Sequence, residues 1–258
     1  MRALSHERLA EALVAEATRF GTVIAGADPE LRVPTCPDWT LRDLTCHVGL
    51  AYHKSAAIIA SRPTGYVPFE AVTVDDPPGF GELGGWLVDG ARRLVAAVAD
   101  VGAETPTSTW TPDRRAGFWT RRLTQETVVH RADAAFATGT PYEADPELAA
   151  DGIAEGLDLV VVFSRQNHPA LDRTSLRGTG QTLLFHATEP GRRWLARRTP
   201  SAVEVSEAPA GTTADVVVEG HATDLLLALT GRIAADDPAL SISGDAGLLR
   251  HWREHTRF

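Results

Sequence analysis

Glu126 and His130 stand four residues apart, so on a helix their side chains rise one above the other on the same face. A carboxylate and an imidazole at that spacing can hold one metal ion between them, or can simply hydrogen-bond to each other. The helix itself is predicted by Leu123, Thr127, His130, Ala134 and Ala137, which recur every three to four residues. A second imidazole strengthens the metal reading. His47 follows Thr40 and Asp43, which approximate a capping box, and shares an inward face with Leu44, Val48, Ala51, Ser55 and Ile58. An unpaired imidazole among such apolar neighbours is costly. Two facing helices that offer His47 against Glu126 and His130 supply three protein ligands and leave one position open, the usual arrangement of a catalytic zinc.

The elements that would position these residues can be read around them. Apolar periodicity predicts helices over roughly 5–25, 40–61 and 81–101, and a fourth that carries Glu126 and His130 and stops at Gly139 and Pro141. Four helices with inward ligands fit a bundle with a metal in its core. A long Pro-, Gly- and Asp-rich connection runs from Arg62 to Glu82, and Thr105–Trp119 is irregular. Pro146–Arg165 predicts a fifth helix, although its run Leu157–Phe163 also suits a strand. Strand-like runs follow at Thr182–Ala187, at Trp194 with Ala202–Val205, at Ala214–Gly220 and at Leu240–Gly244, with helices at Thr223–Ile233 and Asp245–Glu254. The expected organisation is an α+β two-domain chain: a bundle over 1–142, a connecting helix over 143–165 packed between the domains, and an α+β domain over 166–258.

Composition narrows the classes. The 258 residues carry a formal net charge of -9, which provides no basic footprint for nucleic acid. No apolar run approaches the ~20 residues of a membrane helix, and acidic residues occupy the first segment where a signal peptide would be apolar, so a cytoplasmic protein is expected. Lys54 is the lone lysine against abundant arginine, which suits a GC-rich, actinobacterial genome. The two cysteines, Cys36 in a loop and Cys46 on a helix, match no zinc-finger spacing, and a disulfide is not expected in a reducing cytosol. Cys46 lies about 100° around the helix from His47 and reads as a small apolar residue.

Cys36-Pro37-Asp38-Trp39-Thr40-Leu41-Arg42-Asp43-Leu44 with His47, and Gln125-Glu126-Thr127-Val128-Val129-His130-Arg131-Ala132-Asp133, resemble the motifs of the mycothiol-dependent maleylpyruvate isomerase family, within the DinB-like superfamily of metal-binding four-helix bundles. The family's tail pattern recurs in Ala222–Arg232 and Gly244-Asp245. The resemblance implies a DinB-like bundle followed by a small sterol-carrier-like α+β domain, with a divalent metal, expected to be zinc, on His47, Glu126 and His130. It also implies mycothiol as thiol co-substrate. A metal-bound thiolate would attack an electrophilic small molecule, either adding to a cis double bond and leaving after rotation, or staying on as in an S-transferase.

An anionic substrate needs guanidinium partners, for which Arg232 and then Arg122 are the candidates; a surface or interdomain ion pair is the other use of each. Asp133 could orient a ligand or pair with Arg131, and Trp39 is expected to pack within its loop. His53, His168, His186 and His221 have no partner at ligand spacing. Two other classes fit the same bundle: a hydrolase with a metal-activated water, and a non-catalytic binding protein.

Overall fold

A computed structural model of the chain describes residues 1, 3–165 and 173–256, which fall into two compact units, Leu4–Glu143 and a second that begins at Ala144. In the first, the helices α1 (His6–Ile24), α2 (Leu41–Ala60), α3 (Phe80–Val101) and α4 (Gly117–Thr138) pack as a bundle. Each starts or stops where local chemistry dictates. Ser5 caps α1 by accepting from the Arg8 amide, Thr40 and Asp43 form a full capping box on α2, and Gly139 ends α4 in the left-handed conformation at φ 70°. The apolar faces meet in a core in which Leu13, Phe20, Leu44, Val48, Tyr52, Leu83, Leu87 and Leu94 are all fully buried. Burial of one such side chain contributes roughly 1.5–3 kcal/mol. Where α1 crosses α3, Gly21 meets Gly84: a Cβ on Gly21 would lie 3.2 Å from the Gly84 backbone, so small residues set that approach.

α4 follows a different logic. It buries Thr120, Thr124, Gln125, Thr127, Arg131 and Asp133 along with its apolar residues. Buried polar groups need partners, and Thr124, Thr127 and Arg131 find them on neighbouring helices. Thr124 Oγ1 donates to Leu9 O, Thr127 hydrogen-bonds Tyr52 of α2, and Arg131 Nε donates to the fully buried Glu16 of α1 at 2.6 Å. These bonds fix α4 against both helices that flank it.

One element of this unit is absent from the sequence expectation. Between α1 and α2 the chain forms an antiparallel pair, β1 (Arg32–Val33) and β2 (Cys36–Thr40), so Cys36 opens a strand rather than lying in a loop. Two short strands with Pro34 and Pro37 in or beside them give no alternation to detect, and the unpaired edge tolerates the missing proline amide.

The second unit contains α5 (Pro146–Arg165), α6 (Arg173–Leu176), β3 (Thr182–Ala187), β4 (Arg192–Arg198), β5 (Val203–Glu207), β6 (Val216–Gly220), α7 (Ala222–Leu229), β7 (Ser241–Gly244) and α8 (Ala246–His255). Among the described residues the strands form one sheet in the order β5-β4-β3-β6-β7, parallel only between β3 and β6. Leu183, Phe185, Trp194, Ala196, Val216 and Val218 are buried at alternating positions on the sheet's inner side.

Three expectations change here. The helix expected as a connector is α5, which packs on α7 and β5 and belongs to this unit. The single strand read across Trp194 and Ala202–Val205 is two, divided by a turn in which the Thr199 amide donates to Ala202 O. The arginine pairs of β4 hide its alternation, because only Trp194 and Ala196 face fully inward. α7 stops at Leu229, short of Ile233, because Gly231 takes φ 78°. Residue 166, the expected start of the C-terminal domain, lies outside the described residues. Among the described residues no helix is long and apolar enough to cross a membrane.

Candidate metal centre

The bundle brings His47 of α2 together with Glu126 and His130 of α4. Glu126 Oε1 lies 3.2 Å from His47 Nε2 and 3.1 Å from His130 Nε2, and one ligand atom from each of the three residues lies within 4.8 Å of the others. Both alternatives left open by the spacing therefore meet at one point: the carboxylate is at hydrogen-bonding distance from two imidazoles, and the three donors converge as metal ligands do. Burial grades across the cluster, with side-chain exposures of 42% for His47, 24% for Glu126 and 10% for His130. His47 is thus not enclosed among apolar residues as its helix face suggests; it sits at the bundle's edge, and one side of the cluster faces solvent.

Each donor is braced. Asp133, fully buried one turn beyond His130, has Oδ2 2.8 Å from His130 Nδ1. A carboxylate on Nδ1 commits that nitrogen as the donor and leaves Nε2 as the ligating atom, the usual support for a metal-bound histidine. Arg122, one turn before Glu126, donates from Nη2 to Glu126 Oε2 at 2.6 Å. The Trp39 ring lies 4.7 Å from that of His47, tilted by 46°.

Electrostatics suit the same use. Burial alone would raise the Glu126 pKa, but the Arg122 charge and the hydrogen bonds with His130 and His47 outweigh it and hold the group well below the usual carboxylate range. The carboxylate is therefore ionised and able to ligate. Burial would likewise lower the His130 pKa, yet its bonds to Asp133 and Glu126 lift it to about 9. A divalent cation at this site has to displace that proton. The donor set of two imidazoles and a carboxylate, oriented by a buried aspartate, fits a zinc-type ion.

The other sequence candidates fall elsewhere. Arg122 is at the cluster, engaged with Glu126. Arg232 belongs to the second unit and lies beyond the end of α7, where its Nη1 donates to Thr230 O at 2.7 Å. Cys46 is partly buried, and that burial pushes its thiol pKa up, as suits a small packed residue. His53 stacks on Trp86 and His221 holds the N-cap position of α7. His186 does have an acidic partner, Glu219 Oε2 at 2.5 Å, supplied by the parallel strand β6. His168 lies outside the described residues. The residue that spacing alone misses is Thr35, whose Oγ1 donates to Asp133 Oδ1 at 2.5 Å from 98 positions away.

Comparison with known proteins agrees with this architecture. Residues 10–135 match the family model of the mycothiol maleylpyruvate isomerase N-terminal domain, and residues 147–251 match the MDMPI C-terminal domain. No curated protein sequence matches the chain. A crystal structure of the mycothiol-dependent maleylpyruvate isomerase is similar over 95% of this chain and 98% of its own, at 14% identity and a TM-score of 0.60. A mutant form of that enzyme is similar over the same shares at 13% identity and a TM-score of 0.58. At such identities the structural likeness speaks for the fold, a helical domain followed by a sheet-containing one. The two domain matches cover both units in order, and the chain belongs to the mycothiol maleylpyruvate isomerase family.

Proposed function

We propose that the protein is a metal-dependent enzyme that uses mycothiol as co-substrate against an electrophilic small molecule, either isomerising a cis double bond, as the name maleylpyruvate isomerase implies for its relatives, or transferring the thiol. The observation that carries this reading is the convergence of His47, Glu126 and His130 in a chain whose two domains both match the mycothiol isomerase family. His47, Glu126 and His130 would hold the ion. Arg122 keeps Glu126 ionised, Asp133 aims His130 Nε2 into the cluster, and the half-exposed His47 marks the side from which a thiol can approach. A bound divalent ion supplies Lewis acidity, which lowers the pKa of a coordinated thiol below its free value of ~8.5 and so yields a nucleophile at neutral pH. Arg232 is the candidate partner for an anionic group on the electrophile, since guanidinium meets carboxylate in two parallel hydrogen bonds. Both cysteines are free, which suits a cytoplasmic setting where small thiols stay reduced.

The test combines metal analysis with a conjugation screen. The expected result is one divalent ion per chain, lost in His130→Ala, and consumption of an electrophile that requires mycothiol. Arg232→Ala should raise KM for an anionic electrophile and leave metal content unchanged. Full metal stoichiometry in His130→Ala would remove the ligand assignment. Turnover without thiol would instead indicate a hydrolase, and saturable binding without turnover a binding protein.

A further inference from the structure

Asp133 has two carboxylate oxygens, and different elements use them. Oδ2 meets His130 Nδ1 at 2.8 Å, while Oδ1 accepts from Thr35 Oγ1 at 2.5 Å. Thr35 lies at the tip between β1 and β2, 98 positions from Asp133 in sequence. The Cys36 thiol beside it donates to Oδ2, at 3.9 Å. The same two-stranded element carries Trp39, whose ring is 4.7 Å from that of His47 and 6.1 Å from that of His130. One hairpin thus reaches the immediate surroundings of both histidines in the cluster.

His130 and Cys36 both bond Oδ2, whereas Thr35 bonds Oδ1, so the hydroxyl bears on the oxygen that the imidazole does not use. Bonds to both oxygens fix the carboxylate plane and so fix the ring. Asp133 is fully buried, so bulk solvent cannot stand in for a lost donor. We propose that Thr35 is a positioning residue of the metal centre: its hydroxyl locks Asp133, and Asp133 in turn holds His130 with Nε2 directed at the ligand position. This rests on the reading of His47, Glu126 and His130 as a metal centre, and adds to it an element outside the two ligand-bearing helices.

The competing explanation is that the Thr35–Asp133 bond only fastens the hairpin to α4. Thr35→Val keeps the side chain's size and branching and removes the donor; Thr35→Ser restores the donor without the methyl group. Zinc affinity by chelator competition, the visible spectrum of the cobalt-loaded protein and the melting temperature are measured for the wild type and both variants. Outer partners of a metal-bound histidine commonly carry 10–100-fold in affinity, and Thr35 acts through one, so the expected loss in Thr35→Val is about tenfold. The cobalt spectrum shifts with it, and Thr35→Ser recovers both. Unchanged affinity and spectrum in Thr35→Val overturn the proposal even if its melting temperature falls, because that is what a fastening role produces. A readout on chelator-treated protein separates this from the metal reading itself. There the His130 Nδ1 proton, followed by NMR, exchanges faster with solvent in Thr35→Val than in wild type. If the wild type takes up no zinc, the metal reading falls, and an Nδ1 proton unaffected in Thr35→Val overturns the positioning role as well.

Discussion

Arg122 Nη2 lies 2.6 Å from Glu126 Oε2, on the opposite oxygen from the one that faces His47 and His130. The guanidinium thereby fixes which oxygen turns to the cluster, and its charge keeps the carboxylate ionised despite burial. From sequence, Arg122 is a candidate for binding a substrate anion. Its place beside Glu126 offers it a second role under the proposed function, as a support for a metal ligand.

The two roles predict different outcomes. If Arg122 supports Glu126, Arg122→Ala lowers zinc affinity by roughly tenfold. Chelator competition measures this directly. An unchanged zinc affinity together with a raised KM for an anionic electrophile would return Arg122 to the substrate.

The buried pair beneath the site should matter for stability more than for chemistry. Glu16 is fully buried, and its Oε2 accepts from Arg131 Nε at 2.6 Å, while the Arg131 guanidinium also lies over the Tyr142 ring. Glu16→Ala leaves the Arg131 charge largely buried without its counter-ion, which costs about 3–5 kcal/mol. Urea unfolding should show this as a lower midpoint with an unchanged slope. A loss under about 1 kcal/mol would mean that the remaining partners of Arg131 satisfy it.

At the start of α2, the Thr40 amide and hydroxyl both donate to Asp43 Oδ2, and these bonds hold the Asp43 carboxyl below its usual range. Because the folded value is depressed, the contribution is fully present above the unfolded value of ~3.9 and is lost as pH falls through the lower folded value. Asp43→Asn should therefore flatten this part of the acid side of the stability curve and leave the alkaline side unchanged. Thr40→Ala should cost about 1 kcal/mol near neutrality. Equal acid sensitivity in wild type and Asp43→Asn would contradict the assignment. The cap sits one and two turns before His47, so the same variants report whether fraying of α2 reaches the cluster.

What could be read from sequence follows from distance along the chain. Glu126 and His130 share a helix face at a spacing of four, and the Thr40/Asp43 box lies within one turn, so both were legible. The helices of the bundle were legible too, because their apolar residues recur at helical spacing. The supports were not. Thr35 and Asp133 are separated by 98 positions, and His186 and Glu219 by 33 across a parallel pair; no local pattern encodes either. The exposure of His47 is not legible in the sequence for a related reason. Helical spacing fixes a face, but where that face stops being covered depends on the neighbouring helix. β4 and β5 read as one strand in sequence because the arginines of β4 interrupt the alternation that marks a strand.

The most direct test is titration of the cobalt-substituted protein with mycothiol at pH 7, followed by visible absorption. The account predicts a new sulfur-to-cobalt charge-transfer band that saturates at one thiol per chain, is lost in His47→Ala, Glu126→Ala and His130→Ala, and persists in Arg232→Ala. A protein that takes up cobalt at His47, Glu126 and His130, gives no spectral change with mycothiol and consumes no electrophile in its presence would contradict it.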